Sequence, residues 1–275
     1  MPSYRFCRPD DLALIVRAIN HCCRIHETDA PEMTEERLKE HMTLFAVRPG
    51  NCMVALERQQ PVAAIISTRR EAGAWIQTLG CQTAFQRRGI ASQLVEALVR
   101  KIAIQRTEDI TVDVPEDNAA ALNFFQAVGF EERGGLVTLA GEPEGAGDPP
   151  GEVVQVPAAE LLDSYEAFHA VPACWERSAD SLAGYGELIQ GYAYRENGAM
   201  QGYLLPQDST ILDLACAPET DAARVCDVLL GRLHAACVSR ATFPKLNAAD
   251  PLLDILQQQN LKPVRSYRLM GQKLS

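Results

Sequence analysis

The sequence predicts a mixed α/β fold that is built twice along the chain, each copy a twisted mixed sheet flanked by helices. Segments of strand and helix pattern alternate along the 275 residues, a length that exceeds the ~100–150 residues of a common single domain. A run of Gly, Pro and acidic residues at 141–151 has the composition of a linker. Motifs before this run recur after it. We therefore expect one domain at 1–140 and a second at 152–275.

The first copy is expected to run strand, helix, helix, three strands, helix, strand, helix, strand, from its apolar periodicity. The predicted strands lie at 4–8, 53–56, 62–66, 75–80 and 110–114, with a last strand opening at Phe130. The predicted helix caps, which supply side-chain oxygens to the free N–H groups of a first turn, are Asp10 or Asp11, then Thr34, then Asn118. The third helix is expected from Gly89 to about residue 106, and Gly129 ends the fourth.

The second copy repeats motifs of the first. Pro115 to Ala120 recurs as Pro244 to Ala249, with Pro, Asn and both Ala in the same places. The strand end Leu79-Gly80-Cys81 recurs as Leu214-Ala215-Cys216. At that same offset, without a gap, the helix residues Leu94, Val95 and Leu98 correspond to Leu229, Leu230 and Leu233. Together these matches indicate an internal duplication.

Composition and charge exclude several classes of protein. The net charge of −10 leaves no basic footprint for nucleic acid. No apolar run approaches a membrane span, and no apolar signal core follows Met1, so a cytoplasmic location is expected. Nine cysteines without a Cys-x-x-Cys pair indicate reduced thiols and no metal site, although the adjacent Cys22-Cys23 leaves a redox or metal role open. The acidic surface favours cationic substrates such as amines, or serves solubility.

The hexapeptide from Gln86 to Ala91 is the strongest candidate for a binding site. A predicted strand ends there, a turn reads Gln86-Arg87-Arg88-Gly89, and a helix begins. The first N–H groups of a helix lack partners and carry partial positive charge, so this turn can hold an anion, and Gly89 allows a phosphate to approach the backbone. A plain basic turn with a glycine would have the same local sequence.

Two neighbouring motifs extend this pattern. The strand Trp75 to Cys81 enters the turn, and Asn118 to Phe130 follows after one helix and one strand. Here residues 3–140 resemble the GNAT superfamily of N-acetyltransferases, whose Gln/Arg-x-x-Gly-x-Gly/Ala pattern is matched by Gln86 to Ala91. The resemblance implies acetyl-coenzyme A as co-substrate and a strand at 75–81 that splays from its neighbour. It implies the cofactor-binding residues Leu79, Gly80, Cys81, Gln86, Arg87, Arg88, Gly89, Ile90, Ala91, Ser92, Asn118 and Phe125.

The catalytic residues stay unassigned. Many family members carry a Tyr that protonates the departing thiolate, and the matching position is Phe125. The strand at 75–80 offers Gln77 and Thr78 but no carboxylate as a base. Four residues of the segment between the first two helices are candidate bases, although the sequence favours a solvated loop residue or a cap for each: His21, His26, Glu27 and Asp29.

The second copy departs from the binding pattern. Arg224 replaces the close-approach glycine, and Asp221 and Glu219 place negative charge near the phosphate position. Asn260-Leu261 stands where the first copy has Gly129-Phe130. We expect a degenerate acetyltransferase-like domain that serves as a structural partner. The segment 171–177 is a candidate wall of the acceptor site, with a core Trp175 as the alternative.

The expected reaction is direct transfer of an acetyl group from acetyl-coenzyme A to the primary amine of a small molecule. Two alternatives remain open: acetylation of a protein or peptide amine, and a non-catalytic acyl-coenzyme A sensor, which Phe125 keeps in play. The expected partner is a small-molecule amine, with no nucleic acid and no membrane. A homodimer is left open. The acceptor and the acyl chain length are not fixed by the sequence.

Overall fold

The structure is a computed structural model that describes residues 2–23, 31–71, 73–143, 151–186, 189–236 and 238–274. The chain has a mixed α/β fold with two compact units. The first unit contains Met1–Arg133 together with Leu269–Ser275, and the second contains Gly134–Arg268. Most of the expected linker, residues 144–150, lies outside the described residues.

The first unit has a sheet with the strand order β1-β2-β3-β4-β5, followed by the C-terminal end of β12. The strands are β1 (Ser3–Phe6), β2 (Met53–Glu57), β3 (Gln60–Arg69), β4 (Ala74–Cys81), β5 (Asp109–Pro115) and β12 (Lys262–Lys273). The helices are α1 (Leu12–Ala18), which continues as a π-helical turn at Ile19–Cys23, then α2 (Glu35–Leu44), α3 (Ile90–Ile104) and α4 (Ala119–Ala127).

The second unit has the strand order β6-β11-β10-β9-β8-β7. Its strands are β6 (Glu131–Gly141), β7 (Glu152–Pro157), β8 (Gln190–Glu196), β9 (Ala199–Gln207), β10 (Thr210–Cys216) and β11 (Ala241–Asn247). Its helices are α5 (Ala158–Leu162), α6 (Tyr165–Phe168), α7 (Ala179–Ala183), α8 (Ala222–Ala235) and α9 (Leu252–Gln258).

The division between the units differs from the expected domain bounds of 1–140 and 152–275. The strand that follows Phe130, expected to close the first copy, is β6, and it pairs with β11 of the second unit through Leu136 and Gly141. The last residues of β12 return to the first unit, where Met270 is 1% exposed in the core. Each unit therefore takes a strand that the sequence order assigns to the other copy.

Helix positions follow the local sequence signals. On α3, Leu94, Leu98 and Ile102 form a fully buried stripe at helical spacing. Two of the expected caps are confirmed, because Thr34 accepts a hydrogen bond from the Arg37 N–H and Asn118 accepts one from the Ala121 N–H.

The expected cap of α1 is different. Asp11 occupies the N-cap position, but its side chain makes no capping hydrogen bond. Its carboxylate instead accepts hydrogen bonds from the Arg5 guanidinium and the Arg8 N–H. The Arg5 hydrogen bond lowers the pKa of Asp11 to about 2. The carboxylate therefore links β1 to the start of α1.

The internal duplication is visible in the strand geometry. In β4, the residue Gln77 is extra relative to β3, because Thr78 pairs with Ile66 and Ile76 pairs with Ser67. In β10, Leu212 is extra relative to β9 in the same way. Leu212 corresponds to Gln77 at the offset that relates the repeated strand and helix motifs. A β-bulge at the same place in both copies supports the repeat.

Neither unit has a helix, within the described ranges, that is long and apolar enough to cross a membrane. In the same residues, no three His, Cys, Asp or Glu side chains converge in a way that could hold a metal ion.

Candidate functional site

The β4 strand leaves its neighbour β5 halfway along its length. The two strands pair in parallel from Ala74 to Ile76 only, in the part of the chain that the structure describes. The bulge at Gln77 follows at once, and β4 then continues to Cys81 paired with β3. A bulge bends its strand and increases the local twist, which is how β4 turns away. The expected splay of the 75–81 strand is therefore present.

A cavity of about 460 Å³, which we call the β4 cavity, lies at this opening. It is bounded by the end of β4, the loop before α3, the first turn of α4 and the π-helical turn. Every predicted cofactor-binding residue lines it except Arg88. The further lining residues, which the sequence did not single out for this role, are Cys22, Cys23, Phe85, Ala120, Ala121 and Phe124.

The loop that leads into α3 has the shape of an anion site. Gly89 is the N-cap residue, with a left-handed φ of 76°, and α3 begins at Ile90 with no side chain capping its first turn. Gln86 donates a hydrogen bond to the Cys81 carbonyl, which ties the loop to the end of β4. The first N–H groups of α3 therefore remain available to a ligand, and Arg87 lines the same cavity.

Arg88 has a different place from the one expected. Its guanidinium lies 5.2 Å from the centroid of the Phe85 ring and does not line the β4 cavity. It still lowers the pKa of the Cys81 thiol, against the larger effect of burial, which raises it. Arg88 therefore adds positive charge near the loop from outside the cavity.

A model of the acetyltransferase (GNAT) family matches residues 18–130. The first unit belongs to the GNAT family. Acyl transfer from acetyl-coenzyme A is the activity that this membership indicates.

Three solved structures resemble nearly the whole chain. A GCN5-related N-acetyltransferase from Sphaerobacter thermophilus is 14% identical, with a TM-score of 0.70, over 99% of this chain and 96% of its own. A tandem GNAT protein from the clavulanic acid biosynthesis pathway is 12% identical, with a TM-score of 0.69, over 100% of this chain and 99% of its own. A glucosamine N-acetyltransferase region of a fungal multi-domain β-N-acetylglucosaminidase is 15% identical, with a TM-score of 0.74. The match covers 98% of this chain and 38% of that protein. The chain thus has a tandem GNAT fold.

Asn118 and Phe125 are a polar and an apolar residue of the wall that the α4 region contributes to the β4 cavity. The Asn118 side-chain oxygen is used to cap α4, so its amide N–H groups are the part left for a ligand. Phe125 is 4% exposed and packs edge to face against Phe124 and Phe130. The position where many family members have a Tyr is therefore an apolar wall without a proton donor.

The bulge also selects which β4 side chains share a face. In a regular strand, neighbours point to opposite faces, but the extra residue places Gln77 and Thr78 on the same side. There the Gln77 amide nitrogen lies 2.8 Å from His41 Nδ1 on α2. Sequence reasoning missed His41, because no local pattern connects it to a residue 36 positions away. Of the candidate bases, His21 is exposed and His26, Glu27 and Asp29 lie outside the described residues.

Gly80 lies where the backbone of β4 packs directly against the backbone of the π-helical turn. A Cβ at this position would lie 2.1 Å from the Cys22 carbonyl oxygen and 2.5 Å from Cys23 Cα. The π-helical turn therefore rests directly on β4, and this contact sets where Cys22 and Cys23 line the cavity. Because it has no Cβ, Gly80 allows the π-helical turn to form one wall of the cavity, in addition to any backbone contact that it makes with a ligand.

We predict that Gly80→Ala destabilises the first unit by about 2 kcal/mol, because the new methyl must push the π-helical turn off β4. Acetyl-coenzyme A affinity should fall with it. Denaturant unfolding and calorimetric binding measure the two effects. Gly50→Ala is the matched control, since a Cβ there meets nothing within 4 Å. Equal stability of the two variants would contradict the packing role.

The second unit also has the splay, and an arginine side chain lies at the place where its strands separate. β10 pairs with β11 at Thr210 in the described residues. The Arg177 guanidinium donates to the Leu212 carbonyl on β10 and lies 4.3 Å from the centroid of the Phe243 ring on β11. Arg177 also donates to Asp213 at 2.5 Å, and both side chains are buried. A buried ion pair therefore lies where β10 leaves β11, and a smaller cavity of about 250 Å³ remains beyond it, lined by the end of β10, the loop before α8 and the start of α9.

The start of α8 in the second unit carries its own side-chain cap. The Asp221 carboxylate accepts a hydrogen bond from the Arg224 N–H and caps the first turn. Its negative charge lies where the first unit leaves an uncapped helix start. The change to Asn260-Leu261 alters less, because Asn260 keeps a left-handed φ of 63° and Leu261 is fully buried. The segment 171–177 supplies Arg177, and Trp175 within it is half-buried.

His169 completes the buried cluster around Asp213. Its Nδ1 lies 2.9 Å from the Tyr165 carbonyl oxygen, and its Nε2 lies 3.3 Å from the Asp213 carboxylate, which also accepts a hydrogen bond from the Tyr203 hydroxyl. Burial is the largest single influence and lowers the pKa of His169, but the hydrogen bond and charge of Asp213 and the Tyr165 carbonyl together outweigh it, so the pKa is raised. The ring holds its proton at a pH where an unfolded chain releases it.

This cluster should make stability depend on pH. Because the folded pKa of His169 is raised, its contribution is complete below the unfolded value of about 6.5 and is lost as the pH rises through the folded pKa. We predict that wild type exceeds His169→Gln in unfolding free energy by an amount that decreases as the pH rises above about 6.5. Denaturant titrations at several pH values measure the difference. A difference independent of pH would contradict this assignment.

Proposed function

We propose that the first unit transfers an acetyl group from acetyl-coenzyme A to the primary amine of a small molecule, by direct attack. One observation carries the proposal: the open edge of β4 and the uncapped start of α3 border the same cavity. A strand edge suits an amide-bearing arm, and a helix start suits a pyrophosphate. Acetyl-coenzyme A carries both groups in one molecule.

The pyrophosphate would lie on the backbone of residues 88–92, with Arg87 adding charge. The pantetheine arm would pair with the backbone near Leu79 and Cys81, and the Asn118 amide would donate to the ligand close to its sulfur. These assignments rest on the cavity lining and on the unpaired side of β4. Cys22 and Cys23 would close the opposite side.

In the reaction, the amine nitrogen attacks the thioester carbonyl carbon, and a β4 backbone N–H stabilises the oxyanion. The C–S bond then breaks, and its electron pair leaves on sulfur. Phe125 has no proton to give, so the coenzyme A thiolate takes its proton from solvent. Holding amine and thioester together supplies much of the rate.

A small amine is the acceptor that the chain's properties favour over a protein. The net charge of −10 attracts cations generally. One structural relative is described as a glucosamine N-acetyltransferase region, which makes amino sugars a reasonable first choice of probe. The second unit would act as a structural partner that does not bind coenzyme A, since Arg177 lies where β10 leaves β11 and Asp221 caps the start of α8.

The phosphate site is tested by Gly89→Val. A side chain at a φ of 76° is strained, and its branches would stand where the anion approaches, so we predict at least about a tenfold weaker acetyl-coenzyme A affinity. Gly198→Val is the matched control, because Gly198 also has a positive φ with open space at its Cβ. Calorimetry measures both. Unchanged affinity in Gly89→Val would refute the phosphate site.

The activity is tested by coenzyme A release from acetyl-coenzyme A, with glucosamine, spermidine, tyramine and a short peptide as acceptors. We predict turnover with at least one small amine and a lower kcat/KM for the peptide. Release with the peptide alone would favour a protein acetyltransferase. Tight acetyl-coenzyme A binding without release for any amine would favour a sensor, the alternative that Phe125 supports.

A further inference from the structure

The β4 cavity, as lined by the described residues, has no carboxylate or imidazole that could remove a proton from an amine. Burial raises the pKa of two of its thiols, to about 12 for Cys22 and less for Cys81. An amine is protonated at neutral pH and must lose a proton before it attacks. A base that serves this site can lie beside the cavity, next to the bulge where β4 opens.

His41 occupies such a position. Its Nδ1 lies 2.8 Å from the amide of Gln77, the bulge residue itself, two positions before Leu79 of the cavity wall. The ring packs edge to face on Phe45 at 5.3 Å, and Phe45 packs on Trp75 of β4 at 6.4 Å. The imidazole is thus held on the face of β4 that the π-helical turn covers at Gly80.

The surroundings of His41 favour the neutral ring. Burial lowers the pKa of His41 most, and Arg37 on the same helix lowers it further. Gln77 and Glu40 act in the opposite direction without overcoming burial. The facing side chains from β4, Gln77 and Trp75, carry no charge. A neutral imidazole can accept a proton at neutral pH.

We propose that His41 is the general base that deprotonates the acceptor amine, with Gln77 as the residue that positions it. The inference rests on the proposed acetyltransferase function. The Gln77 amide can turn by half a rotation, which places its oxygen where its nitrogen was, so that it accepts a hydrogen bond from Nδ1–H of His41. The lone pair of Nε2 then remains available to the amine. Nε2 takes one ammonium proton and passes it to solvent. The N–C bond forms, the C–S bond breaks, and the second amine proton leaves as the amide forms.

Other residues on this face fit less well. Thr78 shares the face with Gln77, but a hydroxyl is a poor proton acceptor at neutral pH. His21 is exposed on the π-helical turn, whose close packing on β4 at Gly80 is made by Cys22 and Cys23. His41 is partly buried, its ring packs against Phe45, and it has a hydrogen-bond partner on β4, Gln77.

The test compares His41→Gln with wild type on two acceptors: the fastest small amine of the panel, and hydroxylamine, whose amino group is already unprotonated at neutral pH. A general base contributes typically ~10²–10⁴-fold, so we expect kcat for the protonated amine to fall about 100-fold at pH 7, and the deficit to shrink as the pH rises. Hydroxylamine turnover should change little. Gln77→Met should show a smaller loss with the same discrimination between the two acceptors.

Controls separate this role from folding and from binding. His234→Gln, at an exposed position on α8, is the matched histidine control. Unfolding midpoints and acetyl-coenzyme A affinity should match wild type in all variants. Equal losses with both acceptors, or no loss, would overturn the role of His41 and leave the acetyltransferase function standing. A wild type that binds acetyl-coenzyme A but releases no coenzyme A with either acceptor would overturn both.

Discussion

The bulge at Gln77 is the constraint on which the site depends. One extra residue in β4 ends its pairing with β5 at Ile76 and opens the strand edge that borders the cavity. The same extra residue places two successive side chains on one face, which brings Gln77 to His41. Gly80, three residues on, lets the π-helical turn close the cavity against the backbone. The cavity, its β4 wall and the contact with the proposed base therefore all depend on the bulge at Gln77.

The second unit shows that the same bulge can have different surroundings. Its bulge at Leu212 is in the same place, yet Arg177 and Asp213 occupy the space beside it as a buried, hydrogen-bonded pair. Burying two charges is costly unless each is fully partnered, and His169 and Tyr203 complete the partners of Asp213. The duplicated fold thus supports a cavity of about 460 Å³ in the first unit and a smaller one of about 250 Å³, beside a buried ion pair, in the second.

The sequence predicted the features that depend on near neighbours. Caps at Thr34 and Asn118, the apolar stripe of α3 and the loop at Gly89 all follow from residues within one turn of each other. It could not predict features that depend on distant pairing. The strand after Phe130 joined the second unit because β11 offers it a partner, and the Arg177 pair and the His41 contact each link residues about 36 positions apart.

We propose that one chain binds one acetyl-coenzyme A, on the opened β4 edge of the first unit. Calorimetric titration of wild type with acetyl-coenzyme A, with backbone amide NMR shifts followed in parallel, tests this directly. We expect one site per chain, with the largest shifts at the amides of Leu79, Cys81 and residues 88–92. Two sites per chain, no binding, or the largest shifts on β10 and α8 would contradict it.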